Sequence, residues 1–277
     1  MRKPLVPYLK NNKLFFIALA VILFISFGAI VGPMAYPISA TSIDLDSIKL
    51  PPSLKHPCGT DSKGRDILSR IFWGARISLF ISLSAALGSI VIGLFFGLIA
   101  GYWGGKLDTF LTMIIDLTLA FPSLLLAIGI TVVLPPGLYT VIIALALVGW
   151  APFARLIRGL TIAQKQSLFV EASRSLGCST RRILLVHILP NALSPILVAF
   201  SLKIGSFILA ESALSFLGLG VQPPTPTWGS MISLNRIYIN SAPWMIIFPG
   251  LAIAFTTFAF NILGDSLRDY LDPHLNF

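Results

Sequence analysis

The stretch ISLFISLSAALGSIVIGLFFGLIAG, residues 77–101, contains 25 residues and no charged side chain. As a helix it would be about 37 Å long, enough to cross the roughly 30 Å hydrocarbon core of a bilayer. Gly93, Gly97 and Gly101 recur at every fourth position and therefore share one helix face, where another backbone can approach closely. We predict a membrane-spanning helix whose glycines pack against a neighbouring helix or, alternatively, act as a hinge.

The composition of the whole chain agrees with a lipid environment. Of 277 residues, 56% are hydrophobic and 11% are charged, and the mean hydropathy is +0.87. These values lie outside the balance of soluble globular proteins. Lys and Arg outnumber Asp and Glu by 20 to 11, but they are scattered among apolar blocks rather than gathered on one face, which argues against nucleic acid as a partner. The lipid bilayer is the expected partner.

Other long apolar segments repeat the pattern of residues 77–101. We predict an all-α, polytopic transmembrane helix bundle of about six spans, the other five lying near residues 14–32, 109–133, 138–157, 196–219 and 243–264. The first apolar run follows a basic N-terminal segment, as in a signal peptide. It is longer than the apolar core of about 7–15 residues found in signal peptides, so we expect an uncleaved span.

The basic residues indicate an orientation. With the N-terminus in the cytoplasm, twelve Lys and Arg residues lie inside and seven lie outside, as the positive-inside rule expects. We therefore predict a multi-pass protein of the cytoplasmic (inner) membrane with both termini cytoplasmic. Residues 1–76 would form a tail, the first span and a long external loop from 33 to 76. Residues 77–277 would form a five-helix core with an internal loop at about 158–195.

The internal loop has its own helix signals. They predict one helix from Ser167 to Leu176, a break at Gly177, and a second helix that begins at Ser179 and stops before Pro190. Ser favours helix N-termini, Gly favours helix ends, and Pro resists continuation of a helix. A short helix, a break and a second helix make a docking element.

Few charges fall inside the predicted spans. Asp116, Lys203 and Glu211 are the candidates, and a charge in hydrocarbon must face the bundle interior, a water-filled path or the interface. Each could serve helix anchoring or contact a passing solute. Arg155 and Arg158 end the fourth span and are expected to anchor it at the cytoplasmic side or to stiffen the internal loop.

No constellation of catalytic, metal-binding or nucleotide-binding residues is visible. Gly105-Lys106 is followed by Leu107, so this only Gly-Lys pair is not a phosphate-binding loop. Cys58 and Cys178 fall on opposite sides of the predicted membrane, and the three histidines are far apart. We expect no catalytic residue, no metal site and no cofactor bound by this chain.

The internal loop resembles a known family. VEASRSLGCSTRRILLVHILPNALSP, residues 170–195, is similar to the EAA loop of ATP-binding-cassette (ABC) importer permeases. The matching positions are Glu171, Ala172, Gly177, Ile188, Leu189 and Pro190. Ser173 replaces the third small residue, an Ala in the family pattern. The resemblance implies a type I importer permease fold and a coupling helix that enters a cleft of the ATPase subunit, with Glu171, Ala172, Ser173, Leu176 and Gly177 at the contact.

Three further stretches resemble the dipeptide, oligopeptide and nickel importer permeases, in particular the shorter of their two permease subunits. They are GTDSKGRDILSRIFWGARISL from Gly59, ESALSFLGLGVQPPTPTWGSMI from Glu211, and FNILGDSLRDYLDP from Phe260. The resemblance implies alternating access with a homologous second permease in a heterodimer, two ATPase subunits that bind ATP and Mg, and an extracytoplasmic solute-binding protein.

The substrate has two candidates within that family. The sequence LPNAL, residues 189–193, which closes the EAA loop, favours peptides over nickel or a metal chelate, because it looks closer to the peptide branch. The alternative hypothesis from another class of protein is a secondary transporter or channel that works alone, but such a protein is expected to show an internal repeat. We find none, and a stand-alone carrier gives no reason for a charged helix-Gly-helix loop.

Overall fold

The computed structural model describes residues 13–271, and the described chain is almost entirely helical. Two short 3₁₀ turns lie at Leu45–Ser47 and Arg236–Tyr238. The longer helices are α1 (Lys13–Ala35), α2 (Ile67–Trp103), α3 (Gly105–Ala120), α4 (Ser123–Val133), α5 (Leu138–Lys165), α6 (Leu168–Ser175), α7 (Thr180–Phe216), α8 (Trp228–Asn235) and α9 (Trp244–Leu271). The predictions for both termini fall outside the described residues, at 1–12 and 272–277.

The predicted number of spans agrees with the structure. Within residues 13–271, α1, α2, α5, α7 and α9 are each long and apolar enough to cross a membrane. The pair α3–α4 makes a sixth candidate, but the two helices meet at an angle of 91°. The prediction of one continuous span over 109–133 was therefore wrong. Its cause is Pro122, which forces the preceding Phe121 into an extended conformation with φ −86° and ψ 138°.

The helices extend beyond the predicted spans because charged turns continue them past the hydrocarbon. α2 begins ten residues before residue 77, at a capped N-terminus where Asp66 accepts a hydrogen bond from the Ser69 N–H. Its 37 residues correspond to about 55 Å. Arg70 and Arg76, which the sequence analysis placed in the external loop, lie in this helix.

The second helix of the internal loop does not stop before Pro190, so that prediction was also wrong. Ile183–Ile188 form a π-helical turn, and the Leu189 N–H donates to the Leu184 carbonyl, five residues back. A proline ring collides with the carbonyl four residues earlier in a regular α-helix. The wider π turn accommodates Pro190, and α7 continues from the internal loop into the fifth span.

The core of the bundle is the contact between α2 and α5, and the structure places the three glycines there. A Cβ atom on Gly97 would lie 2.8 Å from the Ala154 carbonyl oxygen. A Cβ on Gly93 would lie 2.5 Å from the Phe153 Cβ, and one on Gly101 would lie 2.6 Å from the Thr161 Cβ. Because the glycines have no side chains, the two backbones come together along about two helical turns.

Candidate functional sites

The helix α6 has one buried face and one exposed face. Val170 is fully buried against apolar side chains of α2, α5 and α7. Ser173 is buried as well, and its hydroxyl donates to the Phe169 carbonyl at 2.7 Å. The position that departs from the EAA pattern is therefore one that needs a small residue, and the serine hydroxyl is satisfied within its own helix.

The other face of α6 is directed outward. Leu168 and Leu176 are each 84% exposed, and Glu171 and Ala172 are also exposed. Two leucines beside a carboxylate form an apolar surface with one negative charge. Exposed apolar side chains in such a group are typical of a surface that another protein covers.

Gly177 fixes the angle at which the chain leaves α6. Its φ is +78°, the left-handed conformation that glycine adopts without strain. The Gly177 N–H donates to the Arg174 carbonyl and the Cys178 N–H donates to the Ser173 carbonyl, which together make a Schellman motif. Nothing lies within 4 Å of the position that a Cβ on Gly177 would take, so the requirement for glycine comes from the backbone alone.

Glu211 is completely buried, and the structure places it at a contact between α2 and α7. Its carboxylate accepts hydrogen bonds from Ser78 Oγ at 3.0 Å and from Ser215 Oγ at 2.7 Å. Thr227, the N-cap of α8, donates to Ser215 Oγ. Glu211 thus joins α2, α7 and the start of α8, which supports the anchoring alternative of the two roles considered for it.

Lys203 has a different environment, eight residues before Glu211 on α7. Its Nζ lies 5.0 Å from the centroid of the Phe207 ring, a cation–π contact. In the described part of the chain no carboxylate lies within ion-pair distance of it.

Asp116 pairs with one of the two arginines that were expected to anchor α5 or to stiffen the internal loop. Arg155 Nη2 donates to Asp116 Oδ1, and both side chains are more than half exposed. A second pair involves Asp108, in the first turn of α3. Arg158 donates to both of its carboxylate oxygens, at 2.5 and 2.8 Å. The arginines therefore connect α5 to α3, and the sequence analysis missed Asp108.

The segment between α1 and α2, which the sequence predicts to be external, folds into a hydrogen-bonded cap that was not predicted. Asp66 Oδ2 accepts hydrogen bonds from His56 Nδ1 at 2.8 Å and from the Tyr36 hydroxyl at 3.2 Å. Burial, followed by the nearby Asp66 charge, raises the pKa of Tyr36 to about 12. The same two causes, in the same order, raise the pKa of the Cys58 thiol to about 11.

A second acidic residue organises the same cap. The Asp61 carboxylate accepts from Arg65 Nε at 2.7 Å and from two backbone N–H groups. Arg70, almost completely buried at the start of α2, reaches back to donate to the Ala40 carbonyl at 2.9 Å. The charged motif that begins at Gly59 was the part of the sequence that could have indicated this cap. It resembled the family pattern, but the partners of its charged side chains could not be predicted from it.

The fold and the internal loop together define a family. Residues 93–277 match the model of the binding-protein-dependent transport system inner membrane component. Residues 7–52 match the N-terminal transmembrane domain of oligopeptide transport permease C. The chain belongs to the family of inner membrane components of binding-protein-dependent transport systems. The expectation of a multi-pass ABC importer permease is confirmed.

Curated relatives narrow the family further. The dipeptide transport system permease protein DppC of Alkalihalophilus pseudofirmus is 43% identical over 96% of this chain and 88% of that protein. The oligopeptide transport system permease protein OppC of Bacillus subtilis is 43% identical over 96% of this chain and 87% of its own length. The glutathione transport system permease protein GsiD of Escherichia coli is 47% identical over 84% of this chain and 77% of that protein.

A solved structure supports the fold. The methionine ABC transporter MetNI, in an inward-facing conformation, contains a chain that superposes with a TM-score of 0.59. The superposition covers 71% of this chain and 94% of that one, at 20% identity. The predicted all-α permease fold is confirmed.

Proposed function

We propose that this chain is one of two permease subunits of an ATP-driven importer for di- or oligopeptides. It forms half of a translocation path that opens alternately to the two sides of the membrane. A homologous permease forms the other half, two ATPase subunits bind ATP and Mg, and an extracytoplasmic binding protein delivers the solute. This chain is not itself catalytic, and both of its termini lie in the cytoplasm.

The observation that carries the coupling role is the geometry of α6. One face, with Val170 and Ser173, is packed against the bundle, so a force on α6 acts directly on α5 and α7. The other face presents Leu168, Glu171 and Leu176 to a partner. The carboxylate also lies in the first turn of α6, where the helix dipole favours it and a basic group of the ATPase can meet it.

The peptide assignment is supported by the relatives, whose names describe permeases of dipeptide, oligopeptide and glutathione transport systems. It is also supported by the match to the oligopeptide permease N-terminal domain. A nickel or metal-chelate importer of the same family and a stand-alone secondary transporter are the alternatives, and neither is favoured by these relatives.

The docking role is tested by reversing the charge on α6. Glu171→Lys should reduce the amount of ATPase subunit that co-purifies with this chain and abolish solute-stimulated ATP hydrolysis, while the level of the chain in the membrane stays normal. Asp265→Lys makes the same charge change on an exposed residue of α9 and serves as the control. Equal recovery of the ATPase subunit with both variants would show that α6 is not the docking element.

A further inference from the structure

The Asp116–Arg155 ion pair is exposed within two of the predicted membrane spans, 109–133 and 138–157. Arg155 directly follows Phe153 and Ala154, which pack against Gly93 and Gly97, so Arg155 lies level with the last two turns of the uncharged stretch 77–101. Both side chains are more than half exposed in the single chain. A charged group in such a span must face water, another protein surface or the membrane interface, because exposure to hydrocarbon is costly.

A cavity adjoins this pair. It has a volume of about 610 Å³ and lies along α3, with a lining that includes Asp108, Thr112, Met113, Asp116 and Arg158. Beyond the 91° bend lies a second cavity of about 540 Å³. Its lining is apolar and includes Phe121, Pro122, Leu125, Gly129 and Val133. A cavity lined by the charged residues Asp108, Asp116 and Arg158 therefore lies before the bend, and an apolar cavity lies after it.

The chemistry of the two compartments matches a short peptide. A free peptide carries one ammonium and one carboxylate group, and its side chains are often apolar. We propose that Asp116 and Arg155 form a transit site for zwitterionic short peptides, in which Asp116 binds the ammonium group, Arg155 binds the carboxylate, and peptide side chains lie against the apolar cavity. This inference rests on the proposed function and adds to it the residues that contact the solute.

The Asp116–Arg155 ion pair allows a peptide to bind and to leave again. When the peptide enters, the mutual Asp116–Arg155 contact is exchanged for two contacts with opposite charges on the peptide. Each carboxylate and each cation keeps a partner, so no charge is left unpaired in a poorly solvated place. When the peptide leaves, the internal pair forms again. A peptide that lacks either charge would leave one of the two side chains without a partner.

Two properties of the proposed site can be measured on the assembled complex: whether water reaches the cavity, and whether a bound peptide protects a thiol there from reaction. Cys58 and Cys178 are replaced by Ser. Met113→Cys then places a thiol in the cavity along α3 and leaves the residues of both ion pairs unchanged. The complex is assayed without nucleotide and with a non-hydrolysable ATP analogue, using a charged, membrane-impermeant thiol reagent. Phe95→Cys, on an equally exposed apolar position of α2 between Gly93 and Gly97, is the control for a lipid-facing site.

The expected result is that Met113→Cys reacts in at least one nucleotide state, Phe95→Cys does not, and trialanine slows the reaction whereas N-acetyl-trialanine amide does not. Adding Arg155→Gln should raise the trialanine concentration for half-protection about tenfold, the change expected from losing one charge-assisted hydrogen bond. Absence of reaction at Met113→Cys in both nucleotide states would overturn the transit site, because the face would then be covered by lipid or by another subunit. Reaction without selective protection would show a water-filled path that does not bind peptide ends.

Failure of this inference is distinguishable from failure of the proposed function. The Cys58→Ser, Cys178→Ser complex, with its binding protein, should take up trialanine in an ATP-dependent manner. Uptake without selective protection overturns the transit site alone. Absence of uptake, with the complex intact and its ATPase active, overturns the peptide assignment and the transit site with it.

Discussion

At the residue scale, Gly177 determines the direction in which the chain leaves α6. A β-branched residue with φ near +78° is strained by about 1–2 kcal/mol, whereas Asn tolerates this conformation better. We expect Gly177→Val to insert normally but to lose most uptake and solute-stimulated ATP hydrolysis, and Gly177→Asn to keep most of both. Uptake and ATPase assays on the purified complex test this. Equal activity of the two variants would contradict a requirement for the left-handed turn.

The Cys58 thiol provides a pH prediction for the external cap. Because its pKa is about 11 rather than 9.0, the reactive thiolate is about a hundredfold rarer at pH 8 than for an unshifted thiol. Alkylation of Cys58 should be slow at pH 8 and accelerate about tenfold per pH unit up to pH 10. Unfolding the protein should remove the difference. A rate in the folded protein equal to that in denaturant would show that the cap does not bury Cys58.

Individual residues also show which features could be predicted from the sequence and which could not. The left-handed Gly177 could be predicted because a helix-ending glycine has a local cause, and the structure has it at φ +78°. The pairing of Asp116 with Arg155 and that of Glu211 with Ser78 could not, since the partners are 39 and 133 residues apart in the chain. Such pairings depend on how helices pack, which no local pattern encodes.

At the element scale, the contact between α2 and α5 depends on the absence of side chains. Gly97→Leu would drive a side chain into the Ala154 backbone and Ile157, and overpacking of this kind typically destabilises by about 1–3 kcal/mol or more. We expect a lower melting temperature in detergent, poor assembly and little uptake.

The matched control for that variant is Gly159→Leu on α5. Nothing lies within 4 Å of a Cβ on Gly159, so the isolated chain should keep its melting temperature. If both variants melt like the unmodified chain, the close approach of α2 and α5 does not hold the bundle together.

Element boundaries were predicted least well, and two of the errors involve proline. Pro122 was passed over as part of a span, although it breaks α3 from α4, whereas Pro190 was taken as a stop, although α7 continues through it. A proline removes one hydrogen bond in either case. Whether the helix breaks or widens into a π turn depends on the tertiary packing that supports it, such as the burial of Ile183 and Ile188.

At the scale of the whole molecule, we predict that the external cap and the internal loop lie on opposite sides of the membrane. Cys58 is a poor reporter because it is half-buried and its pKa is raised. Leu54 is fully exposed in the cap and Leu168 is 84% exposed in the loop. In a background without native cysteines, Leu54→Cys should react with an impermeant reagent in intact cells, and Leu168→Cys only after permeabilisation. The reverse pattern would invert the topology and remove the basis for ATPase docking.

The central claim is that this chain imports peptides only as part of an ATP-driven assembly, and reconstitution into proteoliposomes tests it most directly. The complete complex, with its binding protein outside and ATP available to its ATPase subunits, should accumulate radiolabelled trialanine inside the vesicles. Omitting ATP or the binding protein should reduce accumulation to the level of empty vesicles. Accumulation by this chain alone, driven by an ion gradient and indifferent to ATP, would contradict the account.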